Sequence, residues 1–319
     1  MHRASGAPRS EIKEEAKPGD IRGGEYPVAC ARAPNKTTRN PQHNGKATDM
    51  NYTVNGHATY CYTGGKTFDA SKPTVVFIHG VLNDHSVWIL QSRWFANHGW
   101  NVLAIDLPGH CKSEGSPPVS VEEAAQFVLA LLDAAGVQKA ALVGHSFGSL
   151  IALEAASRAP ERVTHLALVG TAYPMVVSPA LLDGALNDPQ RAIAMVNTFS
   201  HSLLAPPPSS LGPGTWLYGS SRALMRRVLA SNRDANVFHI GFKACNDYAN
   251  GENAIEAVQC PVLFLLGDAD QMTPPRATKA LVAKAKQAKV ITVHAGHALM
   301  SEAPDEVLFA LRDFVGAPA

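Results

Sequence analysis

The chain has 319 residues, of which 46% are hydrophobic and 17% charged, an ordinary globular composition with enough apolar residues for a full core. Its net charge of +1 gives no reason to expect nucleic acid or an anionic membrane as a partner. The five cysteines, Cys30, Cys61, Cys111, Cys245 and Cys260, are scattered, and no CxxC pair or Cys/His ligand spacing occurs. This suggests neither a disulfide framework nor a zinc site, and it fits a reducing compartment. No apolar run is long enough to span a membrane, and the N-terminus lacks the apolar core of a signal peptide, so cytoplasm is the expected location.

Residues 1–49 contain no Leu, Phe or Trp and are rich in Pro, Gly, Lys, Arg and Glu. Such a stretch buries too little apolar surface to offset its ordering entropy and is expected to be a disordered N-terminal extension. Patterned sequence begins at Met50. Tyr52–Val54 and Ala58–Tyr62 predict a hairpin around Asn55-Gly56, a favoured two-residue turn. Thr74–Ile78 predicts a solidly apolar strand ending in His79-Gly80, then a helix over Ser86–His98. Asn101–Ile105 predicts the next strand, ending in Asp106-Leu107-Pro108-Gly109-His110. Ser120-Val121-Glu122-Glu123 is a capping box that opens a helix stopping near Gly136.

Ala140–Val143 then runs as a short apolar strand into Gly144-His145-Ser146-Phe147-Gly148, and Ser149–Ala156 is rich in helix formers. A G-x-S-x-G sequence between strand and helix holds its serine up on a sharp turn, while the glycines let the backbone pass close to itself. Strands follow at His165–Val169, Val262–Leu266 and Val290–Val293, with helices at Pro275–Gln287 and Ala303–Val315, where Pro304 suits a first helical turn. Short apolar strands alternating with helices predict an α/β fold, a mostly parallel, doubly wound sheet covered on both faces. The interval 173–256 breaks that rhythm. It carries Pro206-Pro207-Pro208, Pro213 and the aromatics Tyr173, Trp216, Tyr218, Phe238, Phe242 and Tyr248, with a helical stretch at Ser221–Ala230 and no clear strand. An insertion this long predicts a helical cap over the C-terminal edge of the sheet. Residues 50–172 and 257–319 then form the core.

A serine hydroxyl needs a base to act as a nucleophile, and that base is usually a histidine oriented by a carboxylate. Candidates follow Ser146 in the order acid, then His: Asp268 or Asp270 after one strand, and His297 after the last. All would lie at the edge of the sheet where open parallel sheets place their ligands.

From about Asn51 onward the chain resembles an α/β-hydrolase of the capped, esterase-like branch. The resemblance rests on His79-Gly80, Asp106–His110, Gly144–Gly148, Gly267…Asp270…Thr273-Pro274 and Gly296-His297…Glu302-Ala303-Pro304, all in order. It implies Ser146 as nucleophile, Asp270 rather than Asp268 as acid, and His297 as general base in a catalytic triad. It also implies the backbone N–H groups of Val81 and Phe147 as the oxyanion hole. His79 and His145 flank that site and are expected to order turns or shape the substrate pocket, and Trp88 to be core or pocket wall. The implied activity is hydrolysis of carboxylic esters of small to medium, largely apolar molecules through an acyl-enzyme, with no cofactor and no metal. Carbon–carbon bond hydrolases, lactonases, acyltransferases and perhydrolases share the scaffold, and a ligand-sensing protein without turnover is the non-enzymatic alternative. Dehalogenase and epoxide hydrolase relatives carry Asp where Ser146 stands. The chain departs from the family at Cys111, where Gly is usual and where a positive φ would cost about 1 kcal/mol, and at Ser149, where many relatives carry Gly.

Overall fold

A computed structural model describes residues 49–69, 71–202 and 216–316. All but the last residue of the expected extension 1–49, together with Pro206–Pro208 and Pro213, lie outside the described residues. The hairpin strands β1 (Asp49–Val54) and β2 (His57–Tyr62) turn at Asn55-Gly56, both with positive φ. Then follow β3 (Thr74–Ile78), a 3₁₀ turn at His85–Trp88, α1 (Ile89–Asn97), β4 (Asn101–Ile105), α2 (Val121–Ala134), β5 (Ala140–His145), α3 (Phe147–Arg158) and β6 (Val163–Val169). Between β6 and β7 (Val262–Gly267) come α4 (Pro179–Asn187), α5 (Pro189–Ser200), α6 (Leu217–Ser231), α7 (Val237–Asp247) and α8 (Gly251–Ala257). The chain closes with α9 (Lys279–Lys284), β8 (Ala288–Val293), α10 (Leu299–Glu302) and α11 (Pro304–Val315).

The sheet order is β1-β2-β4-β3-β5-β6-β7-β8, with the β1/β2 and β2/β4 pairs antiparallel and the rest parallel. Central strands are apolar on both faces because helices cover both. Val76 and Ile78 of β3, with Leu142 of β5, pack towards α2, α3 and α8, whereas Val75, Phe77 and Val143 pack towards α1 and α11. The chain leaves β3 through α1 on one face and leaves β5 through α3 on the other. The C-terminal ends of β3 and β5 therefore flank a topological switch point, where open sheets form a crevice.

Most predicted elements appear within a residue or two of their expected limits, and the differences have local causes. The capping box at α2 forms with a twist: the Ser120 side chain accepts from the Glu123 N–H at 3.1 Å, but Glu123 Oε2 reaches back to the Val119 N–H at 2.9 Å instead of to Ser120. The helix expected over Pro275–Gln287 is a 3₁₀ turn at Pro275–Thr278 followed by α9, which ends at Lys284. There Lys284 Nζ pairs with Glu252 at 2.9 Å and Glu256 at 2.7 Å, tying that end to α8. Buried Glu154 on α3 accepts from Arg158 Nε (2.6 Å), Tyr248 Oη (2.8 Å) and Asn250 Nδ2 (2.9 Å), and so fixes the return of the long insertion onto the core.

Cys111 takes φ +44 in the loop after β4. Its N–H donates to Ser231 Oγ at 3.0 Å, and its thiol lies 3.4 Å from Asp84 Oδ2. A side chain at positive φ is strained, and a glycine is not. Among variants that lack the thiol, Cys111→Gly is expected to be more stable than Cys111→Ala by about 1 kcal/mol. Urea unfolding of the two at matched pH checks this, and coincident midpoints would show that the loop carries no such strain.

Candidate active site

The turn between β5 and α3 is held by contacts that exclude side chains. A Cβ on Gly144 would stand 2.0 Å from the Gly148 carbonyl oxygen, and one on Gly148 would stand 2.4 Å from that of Ile78. Ser146 between them adopts φ 53 and ψ −119, a strained conformation for a residue with a side chain, and its hydroxyl does not cap the helix it precedes. Its N–H donates to the Val169 carbonyl at 2.9 Å. The Ser149 hydroxyl lies 2.5 Å from the Ser146 carbonyl oxygen and 2.8 Å from Thr171 Oγ1. The Ser149 hydroxyl thus braces the turn from below.

Asp270 lies in the turn after β7. Its Oδ1 accepts from the N–H groups of Met272 and Thr273 at 2.8 Å each, and its Oδ2 from Thr273 Oγ1 and His297 Nδ1, also at 2.8 Å. Burial alone would raise its pKa. Attraction to His297 and the hydrogen bonds from His297 and Thr273 overcome that and bring it down to about 2. With Nδ1 committed to Asp270, neutral His297 presents Nε2 as its lone-pair nitrogen. Asp268, the rival carboxylate, lies half-exposed and pairs with exposed His294 at 2.9 Å. Thr273 was visible in the sequence only as part of a motif. The structure makes it the clamp of the acid turn: it also contacts Gly170 O at 2.9 Å and His297 Nδ1 at 3.0 Å. An Asp followed three residues later by Thr, after a strand, is the local signal for such a turn.

The His297 carbonyl accepts from His145 Nε2 at 2.9 Å, and the two rings stand 4.7 Å apart. Burial, reinforced by nearby His297, pushes the His145 pKa down to about 3, so this imidazole stays neutral. Glu302 secures the same loop, accepting from the Gly296 N–H (3.2 Å) and from the Ser202 N–H (2.9 Å) and hydroxyl.

Val81 follows the end of β3, and Phe147 opens α3. The β3 loop abuts the serine turn: a Cβ on Gly80 would lie 3.1 Å from Ser146 Cβ. Neither N–H has a hydrogen-bond partner among the described residues. Two cavities meet at Ser146, one of about 520 Å³ and one of about 260 Å³, and Ser146, His297, Phe242 and Met272 wall both. Val81 and His145 line the larger. His79 and Trp88, expected at the pocket, are fully buried beneath it and line neither cavity. His79 Nδ1 bonds the Gly80 carbonyl (2.8 Å) and Nε2 accepts from the Leu107 N–H (3.1 Å), which locks the β3 loop to the β4 loop. Trp88 packs on Phe77 with ring centroids 5.2 Å apart.

Asp84, His85 and Asp106 bring potential metal-ligand atoms within 4.8 Å of one another. Those atoms are already engaged. Asp84 accepts from Ser86 and from Arg227, and Asp106 from His85 Nδ1 (2.7 Å) and from the His85 and Lys112 N–H groups. No helix among the described residues is long and apolar enough to cross a membrane.

A family model described as the alpha/beta hydrolase fold matches residues 73–304. Pimeloyl-[acyl-carrier protein] methyl ester esterase of Neisseria meningitidis serogroup A is 29% identical over 266 residues, covering 77% of this chain and 78% of that protein. The dihydrolipoyllysine-residue acetyltransferase component of the acetoin cleaving system of Pseudomonas putida is 37% identical over 99 residues, 31% of this chain and 26% of that protein. The chain therefore spans about a quarter of that acetyltransferase's length. Among solved structures, the enol-lactonase from Burkholderia xenovorans LB400 superposes with a TM-score of 0.69 at 22% identity, covering 83% of this chain and 99% of that one, a likeness of fold.

The depressed pKa of Asp270 has a thermodynamic consequence. The unfolded carboxyl titrates near 3.8 and the folded one near 2. Ionised Asp270 thus contributes about 2 kcal/mol to stability above pH 4, and this is lost as the pH falls towards 2. The stability gap between wild type and Asp270→Asn is expected to be widest at neutral pH and to narrow steadily between pH 4 and pH 2 in urea titrations. A gap that does not change with pH would refute the coupling.

Proposed function

The chain belongs to the alpha/beta hydrolase fold family, and from that premise we propose that it is a serine hydrolase acting on carboxylic esters through an acyl-enzyme. The observation that carries this reading is the buried 2.8 Å hydrogen bond between Asp270 and His297, with His297 and Ser146 walling the same cavities. The methyl ester esterase among the relatives supports the ester class. Helices of the insertion between β6 and β7 supply the other wall of those cavities, through Val196, Leu224 and Phe242, and act in this reading as the cap. The mostly aliphatic and aromatic lining suits small to medium apolar acyl or alcohol groups.

In the proposed reaction, Ser146 Oγ attacks the ester carbonyl carbon while His297 Nε2 accepts its proton. Asp270 holds the imidazole in the correct tautomer and stabilises the imidazolium that forms. The N–H groups of Val81 and Phe147 receive the developing oxyanion, each worth roughly a hundred- to a thousandfold in rate. Collapse expels the alcohol, which takes the proton from His297. Water, deprotonated by the same nitrogen, then attacks the acyl-serine and releases the acid. His145, neutral and bonded to the His297 carbonyl, holds the base in place without competing for the proton.

Ser146→Ala is expected to abolish both labelling by a fluorophosphonate probe and turnover of p-nitrophenyl esters. Labelling that persists in this variant would refute the nucleophile assignment. Asp270→Asn is expected to lower kcat roughly ten-thousandfold, and Asp268→Asn to leave it near the wild-type rate. The reverse order, with both variants folded, would make Asp268 the acid.

A further inference from the structure

The two cavities that meet at Ser146 differ in charge. The smaller is walled in part by Met175, Val177, Leu181 and Met195, and apart from His297 the one ionisable residue among its described walls is Cys245, whose thiol burial keeps protonated. The larger has a single side chain with permanent charge, Arg227 on α6, and no Asp or Glu among its described walls. Arg227 is held from behind. Its Nη2 donates to Asp84 Oδ2 at 2.6 Å and approaches Ser86 Oγ at 3.4 Å. Asp84 is buried and lies off the cavity wall. Its other oxygen is taken by the Ser86 N–H at 2.9 Å and by the Ser86 hydroxyl.

Both of these bonds leave from one nitrogen. Neither Nε nor Nη1 is spent on Asp84 or Ser86, the Cys111 thiol is a further neighbour of the guanidinium, and the side chain is 57% exposed. A guanidinium offers five N–H donors in a fixed plane, so one edge can be anchored while another receives a second oxyanion in bidentate fashion. The hydroxyls of Ser220 and Ser221 stand on the same wall. A carboxylate entering this cavity offers acceptors to those donors, and an apolar group offers none.

On the ester-hydrolase reading above, we propose that the larger cavity selects esters that carry a carboxylate, on either the acyl or the alcohol part, and that Arg227 is the residue that binds it. The substrate class is then the half-ester of a dicarboxylic acid or the ester of a hydroxy acid. The smaller cavity takes the neutral, apolar remainder.

The test is the ratio of kcat/KM for matched anionic and neutral esters within each variant, which cancels any effect of Arg227 on folding or on docking of α6. One arm compares monomethyl esters of six- to eight-carbon dicarboxylic acids with methyl alkanoates of equal length. The other compares butyrates of hydroxy acids with butyrates of the matching alcohols. In at least one arm Arg227→Gln is expected to lower the anionic-to-neutral ratio roughly ten- to a hundredfold. Arg227→Lys should restore part of it, and Asp84→Asn, which removes the charge behind Arg227 and keeps an oxygen acceptor for Ser86, should keep or raise it. A ratio unchanged by Arg227→Gln in both arms would overturn the proposal and leave Arg227 a strut between α6 and the core. Calorimetric binding of the same ester pairs to Ser146→Ala, with and without Arg227→Gln, separates this failure from that of the ester reading. Selective weakening of the anionic ester there supports the site even where the wild type turns over no ester, and equal binding of both esters counts against it.

Discussion

A Cβ placed on Gly148 would collide with the carbonyl oxygens of Ile78 and His79, and one on Gly144 with that of Gly148. The first turn of α3 can therefore approach the end of β3 only as bare backbone. This steric constraint sets the geometry of everything above it. It throws Ser146 into a positive-φ conformation at the end of β5, and it brings the loop carrying Val81 against the same turn. The strain at Ser146 is held by bonds on either side, from its own N–H to Val169 and to its carbonyl from the Ser149 hydroxyl. The same Ser149 hydroxyl fastens the turn to Thr171.

Among the bonds that tie the long insertion to this frame, three are made by buried or half-buried carboxylates of the core. Glu154 receives Tyr248 and Asn250, Glu302 receives Ser202, and Asp84 receives Arg227. A buried carboxylate is costly unless it is paired and hydrogen-bonded, so each of these groups specifies where the incoming segment must sit. For Asp84 the balance is plain: burial would raise its pKa, yet the bonds from Ser86 and the charge of Arg227 bring it to about 2. It remains an anion, and so it continues to hold the guanidinium.

Local chemistry was legible in the sequence, and long-range pairing was not. Thr74–Ile78 and Asn101–Ile105 were readable to the residue because each is a short run, apolar after its first residue, that is followed by strand-breaking residues. The serine turn, the acid turn and the His297 loop were readable because each is a compact motif after a strand. Nothing local distinguishes Arg227 from its neighbour Arg226: its partner Asp84 lies 143 residues away, just as Glu154 lies 94 from Tyr248. The depth of a side chain was equally hidden. His79 and Trp88 flank the serine turn in the fold, but they point into the layer beneath it, since the loop after β3 needs an anchor to β4 and the face under α1 needs a large apolar ring. In the insertion the sequence declared helix but not register, because the apolar residues that face the cavity, such as Val196 and Leu224, look like those that face the core.

Three Asp–His pairs in the described residues have nearly the same geometry: Asp106–His85 at 2.7 Å, Asp270–His297 at 2.8 Å and Asp268–His294 at 2.9 Å. Distance therefore does not decide which of them could serve a nucleophile. His294 is 83% exposed, so water and salt screen its carboxylate partner and solvate its other nitrogen. His85 shares Asp106 with its own backbone N–H and packs against Tyr60, away from the cavities. Only His297 has a buried carboxylate on one nitrogen and an enclosed space containing a serine on its other side. In the proposed reaction the charge that develops on this imidazole would be compensated by a fixed, buried neighbour, the condition under which an oriented carboxylate contributes most to proton transfer.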